Sequence, residues 1–424
     1  MVISMGWTLR SRLVVGALLA LGALGILRAS ATESEQPEPA DWLSEVTVPV
    51  SKRAEPSAAQ PTAERGMTLL GMEIPAGSAR RLSWSASEIF EGISETTPVL
   101  AVNGAEPGPV LCLTGAVHGD ELNGIEIVRR VIHNLDAAKL QGAVIGVPIV
   151  NLHGFRRASR YLPDRRDLNR YFPGNPRGSS AARIAYSFFN EVIVNCDALV
   201  DLHTGSFHRT NLPQVRADVR HPAVVELTHG FDSMVVLHSP PAEGTLRRAA
   251  TEYGIPAVTM EVGEPMRLQP EEVRRGEEGI ESLLNSLGMI RKLRFWSEPE
   301  PVYYESTWVR SDHGGLLITS VQLGQQVSAG QSLATVTDPI TNQSRDIRAP
   351  GDGRVLGMAL NQVVMPGFAA IRLGLPTSEA QVIRSAQHTG LASETRRANL
   401  DGILYAIRGQ SSGNVAPVTE DGAD

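Results

Sequence analysis

Cysteine is almost missing: Cys112 and Cys196 are the only two in 424 residues. That excludes a disulfide-stapled scaffold and any four-cysteine zinc site. Two cysteines could still pair in an oxidising compartment if their strands were neighbours, but with so few the simpler expectation is buried free thiols. Lysine is as scarce, with Lys52, Lys139 and Lys292 alone among 39 basic residues and the rest arginine. Guanidinium suits carboxylate recognition, although a genome whose codons favour arginine accounts for the bias more simply. Long apolar runs are also lacking. The longest, Leu13 to Leu27, is short for a spanning helix, so a polytopic membrane protein is excluded. With a net charge of -7 and no Lys/Arg run, nucleic acid is excluded as the main partner.

What is present is an ordinary globular mix, 42% hydrophobic and 20% charged, over a length that allows two or three domains. Arg10 and Arg12 precede the apolar run, and Ala29-Ser30-Ala31 follows it as an A-x-A cleavage pattern. Residues 1–31 therefore read as a secretory signal, or failing cleavage as an N-terminal membrane anchor, and the expected location is secreted or periplasmic. Residues 32–82 are rich in Pro, Ala, Glu and Ser and read as a linker or loosely ordered arm. From about Pro98, apolar β-rich runs alternate with helical stretches: Val110 to Thr114, Gly124 to Leu135, Ala143 to Ile149, Ser180 to Val194, Ala198 to Leu202. The alternation predicts an α/β sheet with helices on its faces. After Pro299, short strands spaced by Gly, Pro and Asp turns predict a small all-β module, followed by a polar tail over 377–424.

Chemistry concentrates in four places. The predicted strand Val110 to Thr114 runs into Gly115-Ala116-Val117-His118-Gly119-Asp120-Glu121, where an imidazole and a carboxylate separated by two residues can turn toward one metal. Such a pair is weak alone. A second predicted strand ends in Asp201-Leu202-His203-Thr204-Gly205, so His118, Glu121 and His203 would make a His2Glu set with an open fourth position. Asp201, two residues before His203, either orients that imidazole or serves only its strand. The stretch Arg166-Asp167-Leu168-Asn169-Arg170-Tyr171-Phe172-Pro173-Gly174, with Arg160 before it, is rich in donors for a carboxylate or oxyanion, or is a surface ion-pair cluster. Finally, Val258-Thr259-Met260-Glu261-Val262-Gly263 is an apolar strand interrupted by one carboxylate, either paired structurally or, beside a metal, a general base.

Taken in this order, HGDELNG, DLNRYFPG, DLHTG and TMEVG resemble the succinylglutamate desuccinylase/aspartoacylase family, relatives of the zinc carboxypeptidases, over roughly Pro98 to Leu293. The resemblance implies an α/β/α domain with a mixed eight-stranded sheet over 83–293 and one Zn2+ per chain. It implies His118, Glu121 and His203 as metal ligands, Glu261 as general acid/base, Asn169 and Arg170 as carboxylate binders, and Arg160 as the group polarising the scissile carbonyl. Arg216, in Asn211-Leu212-Pro213-Gln214-Val215-Arg216, is either a further substrate contact or structural. The module over 299–376 resembles the family's C-terminal barrel-sandwich; with no lysine after Lys292 it cannot be a swinging-arm carrier, and it is expected to pack against the catalytic domain or to form an oligomer contact. The expected activity is zinc-dependent hydrolysis of the amide of an N-acyl amino acid or related small acylated amine. The alternatives are an envelope carboxypeptidase or amidase acting on peptidoglycan peptides, and a non-catalytic zinc-binding envelope protein.

Overall fold

A computed structural model of the chain describes residues 66–90, 93–232, 234–291, 302–303 and 305–375. The expected signal, the arm over 32–65 and the polar tail lie outside the described residues. A hairpin (β1, Met67–Leu69; β2, Met72–Ile74) leads into β3 (Ser78–Phe90), β4 (Ile93–Asn103) and β5 (Glu106–Gly115), then α1 (Leu122–Asn134), β6 (Gln141–Val147), α2 (Leu152–Arg156) and α3 (Ser180–Glu191). There follow β7 (Ala198–His203), β8 (Arg209–Ala217), α4 (Pro222–Thr228), β9 (Val235–His238), α5 (Leu246–Tyr253), β10 (Ala257–Gly263) and α6 (Pro270–Ser286). The rest is β: β11 (Val302–Tyr303), β12 (Ser306–Arg310), β13 (Gly315–Thr319), β14 (Gln326–Val327), β15 (Ser332–Thr337), β16 (Ser344–Arg348), β17 (Gly353–Ala359), β18 (Gln362–Val364) and β19 (Ala369–Gly374). Among the described residues no helix is long and apolar enough to cross a membrane.

The large sheet is mixed: β6, β5, β7 and β10 are parallel neighbours, while β4 on one side and β8 on the other run antiparallel. Its apolar strands alternate between two cores. Leu111 and Leu113 join α1, α4 and α6 side chains in one, whereas Cys112 faces Phe188 and Phe189 of α3 and Leu246 and Ala250 of α5 in the other. This gives helices on both faces, as the alternation of elements predicts.

Two expectations need correction. The loosely ordered arm does not extend to residue 82: β3 pairs with β4 along Ser78–Ser85, and Leu69, Ile74 and Leu82 are fully buried. The apolar alternation there is too sparse to stand out against Ala- and Ser-rich surroundings. Second, Cys112 and Cys196 are joined in a disulfide and are not free thiols. The parallel pairing of β5 with β7 sets Leu111 opposite Ala198, which brings Cys196, just before β7, beside Cys112.

The C-terminal strands do not stand apart from the catalytic sheet. The outer edge of β8 is shared: Gln214–Ala217 pairs with β9, and Arg209–Asn211 pairs with β17, which carries β19 and then β12. A separate four-stranded sheet, in the order β16-β15-β13-β18, completes the module around its own core, which includes Leu317, Leu333, Val355 and Ile371.

Candidate active site

Parallel neighbours end at the same edge of a sheet, and side chains at their C-terminal ends therefore converge. Beyond Gly115 the chain turns through Ala116, held in the left-handed region at φ 46°, and is pinned by hydrogen bonds from Val150 N to Gly115 O and from Asn151 N to Ala116 O. This swings His118 and Glu121 across the end of β7, where His203 is the last strand residue. His118 Nδ1 lies 2.9 Å from Glu121 Oε1 and 3.1 Å from His203 Nδ1, and His203 Nδ1 lies 2.9 Å from Glu121 Oε2. All three side chains are buried.

The remaining ring nitrogens fix the tautomers. His203 Nε2 donates to Asp201 Oδ2 at 2.8 Å, and Asp201 Oδ1 accepts from Thr114 Oγ1 at 2.6 Å. His118 Nε2 donates to Asp167 Oδ1 at 3.1 Å. With both Nε2 atoms committed to carboxylates, both Nδ1 lone pairs point at Glu121 and at each other, an arrangement that favours a cation between them. Two nitrogens on one tetrahedral zinc stand about 3.3 Å apart for bonds of roughly 2.0–2.1 Å, close to the separation here. Without a cation, the carboxylates around these rings draw a proton into its place. Burial disfavours charge on His203, yet Asp201 and Glu121 raise its pKa well above the ordinary histidine value. Burial likewise opposes ionisation of Glu121, yet His118 and His203 hold its carboxyl well below the usual range. The donor set thus fits a divalent cation such as zinc.

Glu261 is the register partner of His203 across β10 and β7, so both side chains leave the same face one strand spacing apart, about 5 Å. Its surroundings are polar: Asn211 Nδ2 donates to Oε2 at 3.0 Å, and Arg216 Nη1 lies 3.0 Å from Oε1. Arg216, left open between substrate contact and structure, is thus held against Glu261 while also lining the cavity. Arg160 is buried over the ligands, with Nη1 3.4 Å from Glu121 Oε1 and Nη2 3.0 Å from Asp167 Oδ2. Asn169 Oδ1 accepts from Leu246 N at the start of α5, and Phe172 N donates to Gly244 O. A Cβ on Gly244 would stand 2.1 Å from Arg170 O, so only glycine lets the Asn169-Arg170 loop pack there. Asn169, Arg170, Arg160, Arg216 and Glu261 line one cavity of about 440 Å³ with the three ligand side chains.

Among the described residues, His118, Glu121 and His203 form the one such metal-capable group. Residues 107–287 match the model of the succinylglutamate desuccinylase/aspartoacylase catalytic domain. The chain is 33% identical over 254 residues to an N-alpha-acetyl-L-2,4-diaminobutyric acid deacetylase of Halomonas elongata, covering 57% of this chain and 74% of the relative. The chain belongs to the succinylglutamate desuccinylase/aspartoacylase family. Within this family of deacylases it is also 31% identical over 134 residues to a succinylglutamate desuccinylase of Pseudomonas aeruginosa, which covers 29% of this chain and 37% of that one. Among solved structures it resembles a succinylglutamate desuccinylase from Silicibacter sp. TM1040, with 25% identity, a TM-score of 0.61, and coverage of 71% of this chain and 97% of the other. The product-bound ectoine utilization protein EutE (DoeB) from Ruegeria pomeroyi matches at 25% identity and TM-score 0.63, with the same coverages. The family's large mixed sheet is the one described above.

Asp167, Arg372 and Trp308 of this family member were not assigned by motif reasoning. Asp167 binds His118 and Arg160 at once. Burial opposes its ionisation, but His118, Arg160 and Arg170 hold its carboxyl well below the usual range. Its signal was its place in DLNR, next to the residues that were assigned. Arg372, in β19, also lines the cavity, as does Trp308 of β12. Arg372 interrupts the apolar strand Ala369-Ala370-Ile371-Arg372-Leu373 just as Glu261 interrupts β10.

Proposed function

We propose that the protein is a zinc-dependent deacylase that hydrolyses the amide bond of an N-acyl amino acid. The observation that carries this reading is the convergence of His118 Nδ1, His203 Nδ1 and Glu121 beside Glu261 in one cavity. The activities of the relatives, deacetylation of an N-acetyl amino acid and desuccinylation of succinylglutamate, support it.

A zinc ion bound by His118, Glu121 and His203 supplies Lewis acidity, which lowers the pKa of water toward about 7 and polarises a carbonyl. Asn169 and Arg170 hold the substrate carboxylate, which places the amide over the ligand cluster. Glu261 takes a proton from the attacking water, and the oxygen adds to the amide carbon. Arg160, anchored by Asp167, donates to the oxyanion that develops there. Glu261 then passes the proton to the amine nitrogen as the C–N bond breaks, giving a carboxylate and a free amine. Arg216 and Asn211 aim the Glu261 carboxylate throughout. We further infer an exported protein. The basic and apolar N-terminal sequence supports this, and so does the Cys112–Cys196 bond, since disulfides persist in oxidising compartments.

The test is Glu261→Gln on zinc-loaded protein. About one zinc per chain should remain bound by elemental analysis, while release of acetate or succinate from N-acyl amino acids falls roughly 100- to 10,000-fold, the range for a positioned general base. A near-normal rate in this variant removes Glu261 from the role. Cleavage of muropeptides in preference to N-acyl amino acids replaces the substrate class.

A further inference from the structure

Residues 204–208 join His203, the last residue of β7, to β8, and their backbone is unusual. Phe207 and His208 both lie in the left-handed region, at φ 53° and 58°. Bulky residues rarely adopt it, and a strained backbone persists only where its surroundings over-determine it. Phe207 is also 43% exposed, so burial of its ring does not account for the turn. What the ring meets is Arg160, whose guanidinium carbon stands 5.2 Å from the ring centre.

Contacts at both ends fix the turn. Thr204 N donates to Glu121 Oε2 at 3.0 Å, and Gly205 N donates to Gly263 O, at the end of β10, at 2.9 Å. A Cβ on Gly205 would stand 2.3 Å from Arg209 O, so only glycine lets the chain double back there. At the far end His208 O accepts from Leu360 N and from Gln362 Nε2, both at 2.8 Å. Leu360 follows β17, whose Met358 and Ala359 pair with Thr210 and Arg209, and Gln362 opens β18. The ligand cluster and β10 thus hold one end of the turn and the C-terminal module holds the other, with Phe207 carried between them.

Arg160 is a group that such a cover suits. It is buried, its Nη atoms reach Glu121 and Asp167, and its Nε is buried and donates to nothing among the described residues. The hydrogen bonds of a guanidinium run in its plane, so they leave its faces free. An aromatic ring over one face attracts the charge and keeps water off it. We propose that Phe207 is a positioning residue: its ring covers the outer face of Arg160 and holds the guanidinium in the orientation from which it donates to the developing oxyanion. The inference rests on the role of Arg160 in the deacylase reading.

The experiment measures kcat and KM of the zinc-loaded full chain on N-acetyl-L-alanine and N-acetyl-L-glutamate. Phe207→Leu, which keeps apolar bulk but removes the π face, should lower kcat roughly 3- to 30-fold with little change in KM, the range of a partly exposed cation–π contact. Phe207→Tyr, which keeps the ring, should retain most of the parent rate. Added to Arg160→Gln, Phe207→Leu should cost almost nothing further, because the ring acts through that guanidinium. Unchanged zinc content and urea midpoints show that the variants fold. A parent kcat in Phe207→Leu, an equal loss in Phe207→Tyr, or an undiminished effect in the Arg160→Gln background overturns the proposal. A parent rate in Arg160→Gln alone removes Arg160 from the reaction and the proposal with it. If neither compound is turned over, the deacylase reading fails separately, and phenylglyoxal labelling of Arg160, read by mass spectrometry of its peptide, decides the contact. Labelling several-fold faster in Phe207→Leu than in the parent and Phe207→Tyr supports it, and equal labelling in all three ends it.

Discussion

Reducing the Cys112–Cys196 bond tests the architecture beneath the candidate site. The bond ties β5, which feeds the His118 loop, to the segment that enters β7 and ends at His203. Its partners are 84 residues apart in sequence, so cross-linking removes the entropy of a large loop from the unfolded chain. The loop-entropy relation gives about 4.5 kcal/mol for a loop of that size, a large share of the total for a folded domain of about 5–15 kcal/mol. Both cysteines are fully buried, so reduction should be slow in the native protein and rapid in urea. The assay is urea unfolding of oxidised protein against protein reduced in urea with a phosphine and refolded under it, followed by tryptophan fluorescence. The reduced form should be less stable by several kcal/mol with a similar slope. A difference below about 1 kcal/mol, with the bond established by mass spectrometry in the oxidised sample, would refute the loop-closure reasoning. Alkylation of both cysteines without prior reduction would refute the bond.

Two further perturbations separate orientation of the metal ligands from ordinary folding. Asp201→Asn keeps the shape but weakens the grip on His203 Nε2, and zinc affinity measured by competition with a chromophoric chelator should fall roughly 10- to 100-fold; an unchanged affinity would leave Asp201 to its strand alone. His238 is buried, and desolvation, outweighing nearby Asp218, lowers its pKa to about 4. Because the unfolded chain protonates this residue near 6.5, its contribution is fully present above that pH and is lost as pH falls toward 4. The loss should reach about 3 kcal/mol. Urea unfolding at pH 7, 5.5 and 4.5 should show this slope in the parent and not in His238→Gln, and equal slopes would count against the assignment.

How much could be read in advance follows from where each residue sits. His118, Glu121, His203 and Glu261 lie at or just beyond the ends of adjacent parallel strands, so local motifs and the expectation of a sheet suffice to bring them together. Asn169 and Arg170 sit in a donor-rich loop that one helix start and one glycine contact hold in place. The Cys112–Cys196 pair depends on which strands are neighbours, and two cysteines carry no signal of that. β1 to β3 were missed because few apolar residues mark them, although Leu82 and Trp84 are fully buried. Arg372 was out of reach for another reason: nothing local joins β19 to a site built more than a hundred residues earlier. The pairing of β17 with β8 does so.

That pairing bears on how the cavity wall is built. From the metal ligands outward, His203 of β7 stands beside Glu261 of β10, and Asn211 of β8 holds Glu261. Asn211 faces Gly357 of β17, and Gly357 faces Arg372 of β19. Each step is a strand pairing or a direct side-chain hydrogen bond, so the distance from the ligand cluster to Arg372 is fixed by sheet geometry and not by a loop. Arg209 tightens the same junction: it lies between the Trp308 and Phe368 rings, 5.0 and 4.9 Å from their centres, and its Nε donates to Ala369 O. Groups carried on rigid strands hold a recognition geometry more closely than groups on loops. The C-terminal module is in this way an extension of the catalytic sheet that fixes where Arg372 stands in the cavity wall.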